Sequence, residues 1–124
     1  MWHDRKIDMA QLNREAAADG DDEAYRVLHS CSCYRIGVGS RKIAGNTFSS
    51  FLEVVITLMP GRPAVDLPLL EKDLKLLKEL RARGYEINCH DDACVSAELI
   101  VPPSRLGDEY REIREMVEAV MAGL

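Results

Sequence analysis

The stretch Phe51-Leu52-Glu53-Val54-Val55-Ile56-Thr57-Leu58-Met59 decides the fold. Leu52, Val54, Ile56 and Leu58 fall at every second position, so as a strand they present one unbroken apolar face. The other face carries Phe51, Glu53, Val55, Thr57 and Met59, which is mixed. A strand buried on one side and half-buried on the other belongs near the middle of a sheet. Pro60-Gly61 and Pro63 end it.

On the N-terminal side of this strand, Tyr34, Ile36 and Val38 alternate with Cys33, Arg35 and Gly37, which predicts a partner strand from Cys33. Gly39 to Asn46 is read as the turn between the two. Gly37-Val38-Gly39-Ser40-Arg41-Lys42 has a phosphate-cradling flavour, but it opens no helix and lacks the Walker spacing. A glycine-rich strand end is the simpler use. Further back, Asp8 and Gln11 have the spacing of a capping box, with Ile7 and Leu12 as staple, and Gly20 closes that helix. Residues from Asp21 or Asp22 fit a second short helix, with Ala24, Val27, Leu28 and Cys31 on one side. A strand over Tyr25 to Cys33 is the alternative.

On the C-terminal side, Asp66 caps a predicted helix to about Arg83, with Leu69, Leu70, Leu74, Leu77 and Leu80 as its stripe and Gly84 as its stop. Its charged side (Lys72, Lys75, Lys78, Arg81, Arg83) is a solvated face. Tyr85 to Cys89 and Cys94 to Val101 make a hairpin. For both to face one core, Cys89 must stand opposite Ala93 or Val95. Pro102-Pro103 ends the pairing, and a last helix from about Asp108 turns Tyr110, Ile113, Val117, Val120 and Met121 inward.

The expected fold is therefore α+β. A four-stranded antiparallel sheet carries two long helices on one face (ββαββα), with an N-terminal helical hairpin added. The predicted sheet order is first, second, fourth, third. This arrangement resembles a permuted ferredoxin-like topology over roughly residues 33–122, a fold that hosts many functions. One domain is expected over 1–124, with 1–32 a helical extension and 33–124 the α+β core. The 47% hydrophobic and 30% charged residues are ordinary globular values. The net charge of −5 gives no overall attraction to nucleic acid or to an anionic membrane. MWHDRKIDMAQ lacks the apolar core of a signal peptide, and no apolar run is of membrane-spanning length. The expectation is a cytoplasmic protein that binds neither membrane nor nucleic acid, its four cysteines reduced thiols, metal ligands or redox groups before structural disulfides.

Those cysteines form the one unusual constellation. His29, Cys31 and Cys33 are spaced H-x-C-x-C, and Cys89, His90 and Cys94 are spaced C-H-x-x-x-C. The topology gathers both groups at one rim of the sheet, about 10–14 Å apart. Thiolate and imidazole there suit zinc or iron, or thiol-redox work. Against this, neither half is a C-x-x-C knuckle, and Cys31 and Cys89 serve equally as small buried hydrophobes. Arg62, ahead of the Asp66 helix, is a candidate anion ligand. No catalytic set is evident. The preferred reading is a small binding or regulatory/assembly module; the alternative is a metal-binding or thiol-redox protein. Phe51, Val55, Met59 and Ile100 would lie on the helix-free sheet face and form a homodimer interface. The competing cover for that face is the N-terminal segment, through Met9, Leu12, Val27 and Leu28.

Overall fold

The computed structural model describes residues 9–19, 23–31, 34–45, 47–57, 71–90 and 94–122. The described elements are α1 (Met9–Asp19), β1 (Glu23–Ser30), β2 (Tyr34–Ala44), β3 (Thr47–Thr57), α2 (Glu71–Ala82), β4 (Glu86–His90), β5 (Cys94–Ile100), a 3-10 turn (Pro103–Arg105) and α3 (Leu106–Met121). The strands form one antiparallel sheet in the order β1-β2-β3-β5-β4. The fold is thus mixed α and β with an open sheet, as expected, but the sheet has five strands rather than four. The four expected strands keep the expected order, and β1 adds an edge.

β1 corrects the reading of a second N-terminal helix. Ala24, Val27, Leu28 and Cys31 suit a helix stripe, yet a short run fits both periods. Tertiary context decides it: β1 satisfies the edge of β2 and seats Tyr25 over Gly37. A bulge between Val27 and His29 then turns Leu28 and His29 towards the helices. The β2–β3 turn is also tighter than expected. β2 continues to Ala44, and Gly45 makes the turn with a positive φ of 55° that favours glycine.

β3 is central and buried on both faces, from Ser50 to Ile56 apart from half-buried Glu53. Tyr34, Ile36 and Val38 stand opposite Ile56, Val54 and Leu52, and Leu99, Ala97 and Val95 oppose the same three from β5. This face meets all three helices. Met9 and Leu12 of α1, Leu76 and Leu80 of α2, and Leu106, Tyr110, Ile113 and Val117 of α3 close one core with it. Burying each such side chain contributes about 1.5–3 kcal/mol. α1 therefore packs beside the long helices, against β1 and β2. The expected alternative, an N-terminal cover of the opposite face through Met9, Leu12, Val27 and Leu28, is overturned for Met9, Leu12 and Leu28; only Val27 of the four lies on that face, in line with Gly37 and Glu53.

Two helix stripes differ in detail. In α2 the buried positions are Asp73, Leu76 and Leu80 with Leu77 half-buried, while Leu74 is exposed. That is an i, i+3, i+4, i+7 set turned away from the predicted one. Gly84 stops the helix at φ 95°, its N–H bonding Arg81 and that of Tyr85 bonding Leu80. α3 has its predicted stripe, with Leu106 added at the front. Leu58, Met59, Arg62, Asp66, Leu69, Leu70 and Cys33 lie outside the described residues, as do the side chains of Cys89 and His90.

Candidate functional site

The register fixes what the helix-free face displays. Tyr25, Gly39, Phe51 and Ile100 stand in one row across four strands; Val27, Gly37, Glu53, Glu98 and Glu86 stand in the next. Phe51 and Val55 were expected to be exposed here. They are 2% and 4% exposed instead. Over Phe51 the cover comes from Tyr25 and Arg41, side chains of the sheet itself.

Gly37 and Gly39 make that cover possible. A Cβ on Gly39 would sit 2.0 Å from the Phe51 ring, and one on Gly37 would sit 2.1 Å from the Tyr25 hydroxyl oxygen. The two rings therefore lie down across β2 and stack on each other, centroids 6.5 Å apart. Arg41 passes over the outer side of Phe51, its guanidinium carbon 4.6 Å from the ring centroid. Beyond the ring it donates two hydrogen bonds to Glu98, at 2.8 and 3.2 Å. Glu23 stands 3.7 Å from the same guanidinium.

This layer answers an electrostatic problem. Glu53, Glu98 and Glu86 stand directly opposite one another on β3, β5 and β4, where like charges repel. Arg41 neutralises Glu98. Tyr25 donates to Glu53 and accepts from Arg35, and burial together with Glu53 pushes its phenol well above the usual tyrosine range. Open on the face are the apolar Ile100, at 67% exposure, with Val27 and the edge of Tyr25, among exposed Arg35, Thr57, Glu86 and Asn88.

By backbone register, His29, Cys31, Cys89, His90 and Cys94 stand at one rim of the sheet. Cys94 pairs with His90 and with Thr57 at the end of β3, and Cys89 pairs with Val95 as the core requires. The β1–β2 turn comes round at the same rim, where the Cys31 N–H bonds the Tyr34 carbonyl. Cys31 is exposed, which corrects its reading as a buried hydrophobe; Cys94 is half-buried. His29 Nε2 lies 3.6 Å from Cys31 Sγ and 3.1 Å from the Tyr34 hydroxyl. Among the described residues no group of three or more metal-ligating side chains converges. Cys33 and Arg62 lie outside those residues, and two strand spacings separate β2 from Cys94.

A shallow cleft of about 350 Å³ opens where β5 ends, between Arg83, Leu99, Pro102 and Arg105. In its polar wall Glu109 accepts from Tyr85 at 3.1 Å, and Arg83 donates to Glu112 at 3.5 Å. The sequence reading missed Tyr25, Arg41 and the seating role of the glycines. The G-x-G spacing, two glycines on one face of a strand, was the available signal for a ring lying there. No known protein family, characterised protein or solved structure matches this chain. No described helix is long and apolar enough to cross a membrane.

Proposed function

We propose that the chain is a small binding or assembly module that works through the helix-free face of its sheet, with a second copy of itself as first partner. One observation carries this reading: all three described helices pack on one face, while the other shows Ile100, Val27 and Tyr25 beside the Arg41–Glu98 pair and among exposed Arg35, Thr57, Glu86 and Asn88. The interface assigned to Phe51, Val55, Met59 and Ile100 is thereby recast. Phe51 and Val55 support it from beneath, and Ile100 makes the contact. We read the order β2-β3-β5-β4 as a permuted ferredoxin-like arrangement extended by β1, and a cytoplasmic setting without nucleic acid or membrane fits the charge of −5.

Five strands about 4.8 Å apart and about 24 Å long offer about 500 Å² of flat footprint. A standard interface takes about 800 Å² per partner. The dimer is therefore a weak one, forming in the micromolar range. Light scattering across a concentration series tests it: the mass should rise from 13.9 kDa towards twice that value. A mass fixed at the monomer up to about 100 μM, a Kd scale of some −5 kcal/mol, defeats the reading.

A zinc or iron site at the rim is the second reading, favoured by Cys94 standing opposite His90 with the His29–Cys31 pair at the same rim. Elemental analysis of the purified chain decides it; absence of stoichiometric metal after purification in added zinc or ferrous iron removes it.

A further inference from the structure

We infer that Cys31 is a reactive thiol that undergoes thiol–disulfide exchange with small disulfides, with His29 as the group that takes and returns its proton. The inference stands apart from the sheet-face reading and uses three side chains of the β1–β2 turn.

The geometry supplies each part. Cys31 follows the end of β1 and is exposed, so a small disulfide reaches its sulfur. His29 is half-buried beside it, with Nε2 at 3.6 Å from Sγ. Tyr34 is buried in the core under α1 and fixes the imidazole: its hydroxyl lies 3.1 Å from the same nitrogen, and the ring centroids are 5.6 Å apart. The bulge after Val27 is what turns His29 to the Tyr34 side. A thiol paired with an imidazole, itself held by a third group, is the arrangement that activates cysteine nucleophiles.

One nitrogen faces both partners, and that decides how the proton moves. The Tyr34 hydroxyl and Cys31 Sγ share Nε2 as their hydrogen-bond partner. When Nε2 takes the Cys31 proton, its N–H lies between Sγ and the Tyr34 oxygen, which then accepts from it. The thiolate then attacks one sulfur of the disulfide. The new S–S bond forms as the old one breaks, and the departing thiolate takes the proton from Nε2. Electrons balance, because one disulfide replaces another. The product is a mixed disulfide between Cys31 and the small thiol. Cys94 cannot resolve it internally, since two strand spacings, about 10 Å, exceed the roughly 7 Å limit between Cα atoms of a disulfide.

The test treats the full reduced chain with oxidised glutathione and follows the adduct by intact mass and peptide mapping. The first adduct is expected on Cys31. It should disappear in Cys31→Ser and persist in Cys94→Ser. His29→Gln should slow it at least about tenfold, and free imidazole should restore part of the rate. A first adduct on Cys33, Cys89 or Cys94 in the unaltered chain overturns the inference, with no variant needed. So does a His29→Gln protein that reacts as fast as the parent.

Discussion

Arg41 and Glu98 are joined by two hydrogen bonds although β3 runs between the strands that carry them. The guanidinium reaches its partner by crossing the face of Phe51, a residue of that intervening strand. The ion pair is therefore also a lid on a core residue.

Replacing Arg41 with Met should cost about 1–2 kcal/mol in urea unfolding, since a charged two-point bond is lost at a half-exposed site. Arg41→Lys should retain less than half of the difference, because an ammonium neither bonds at two points nor stacks as a guanidinium does. Arg41→Met with Glu98→Gln should recover stability, as the acid opposite Glu53 and Glu86 is then gone. A double variant no more stable than Arg41→Met would show that the carboxylate row is harmless.

Gly39→Ala should cost more than Gly37→Ala. The added methyl on Gly39 meets a ring that is 2% exposed and has nowhere to go, whereas Tyr25 sits on an edge strand and can swing outward. Overpacking of this kind costs about 1–3 kcal/mol. Phe51→Leu should be partly compensating in the Gly39→Ala background, a reversal that thermal melts would read directly.

Tyr25 and Tyr85 should make the protein alkali-sensitive. Burial raises both phenols, Tyr85 with help from Glu109 as Tyr25 has from Glu53. The folded chain holds these protons more tightly than the unfolded one. Their contribution is whole below about pH 10, where both states keep the proton, and is lost as pH climbs from there towards the folded-state values. Tyr25→Phe and Tyr85→Phe should each flatten the alkaline limb of a stability-against-pH curve. Equal limbs in parent and variants would refute the assignment.

Ile100→Lys and Val27→Lys should separate the proposed dimer while leaving the melting temperature within about 2 °C, since both side chains are already open. Val55→Lys tells nothing about association, because Val55 is closed within the chain and a charge there disrupts the sheet. Gel filtration beside a thermal melt gives both readouts.

How much of this was legible varied with distance along the chain. β3 was readable because its two faces are written in nine consecutive residues. The inner stripe of α3 followed from period alone, and period narrowed the partner of Cys89 to Ala93 or Val95, of which the sheet takes Val95. β1 was legible only as the alternative strand over Tyr25 to Cys33, because the seat that Gly37 gives Tyr25 on the neighbouring strand is not written in the segment itself. The concealment of Phe51 depends in turn on Tyr25 and Arg41. Arg41 itself gave no signal, its partner lying 57 residues away on a strand whose neighbour only topology could name.

The strand order has a kinetic consequence. β1, β2 and β3 pair hairpin by hairpin, as do β4 and β5, so each block closes only short loops. A single junction, β3 against β5, joins the blocks. It brings together Ser50 and Val101, 51 residues apart, through one backbone bond, from the Val101 N–H to the Ser50 carbonyl, and the Ser50 hydroxyl donating to the Val101 carbonyl, with Arg41 and Glu98 tied across it. Long closures come late in folding. Arg41→Met should therefore act mainly on the unfolding arm of a chevron plot, and Gly39→Ala, inside the early block, should slow the folding arm. The junction between Phe51–Thr57 and Cys94–Ile100 thus sets how long the folded chain survives before it opens.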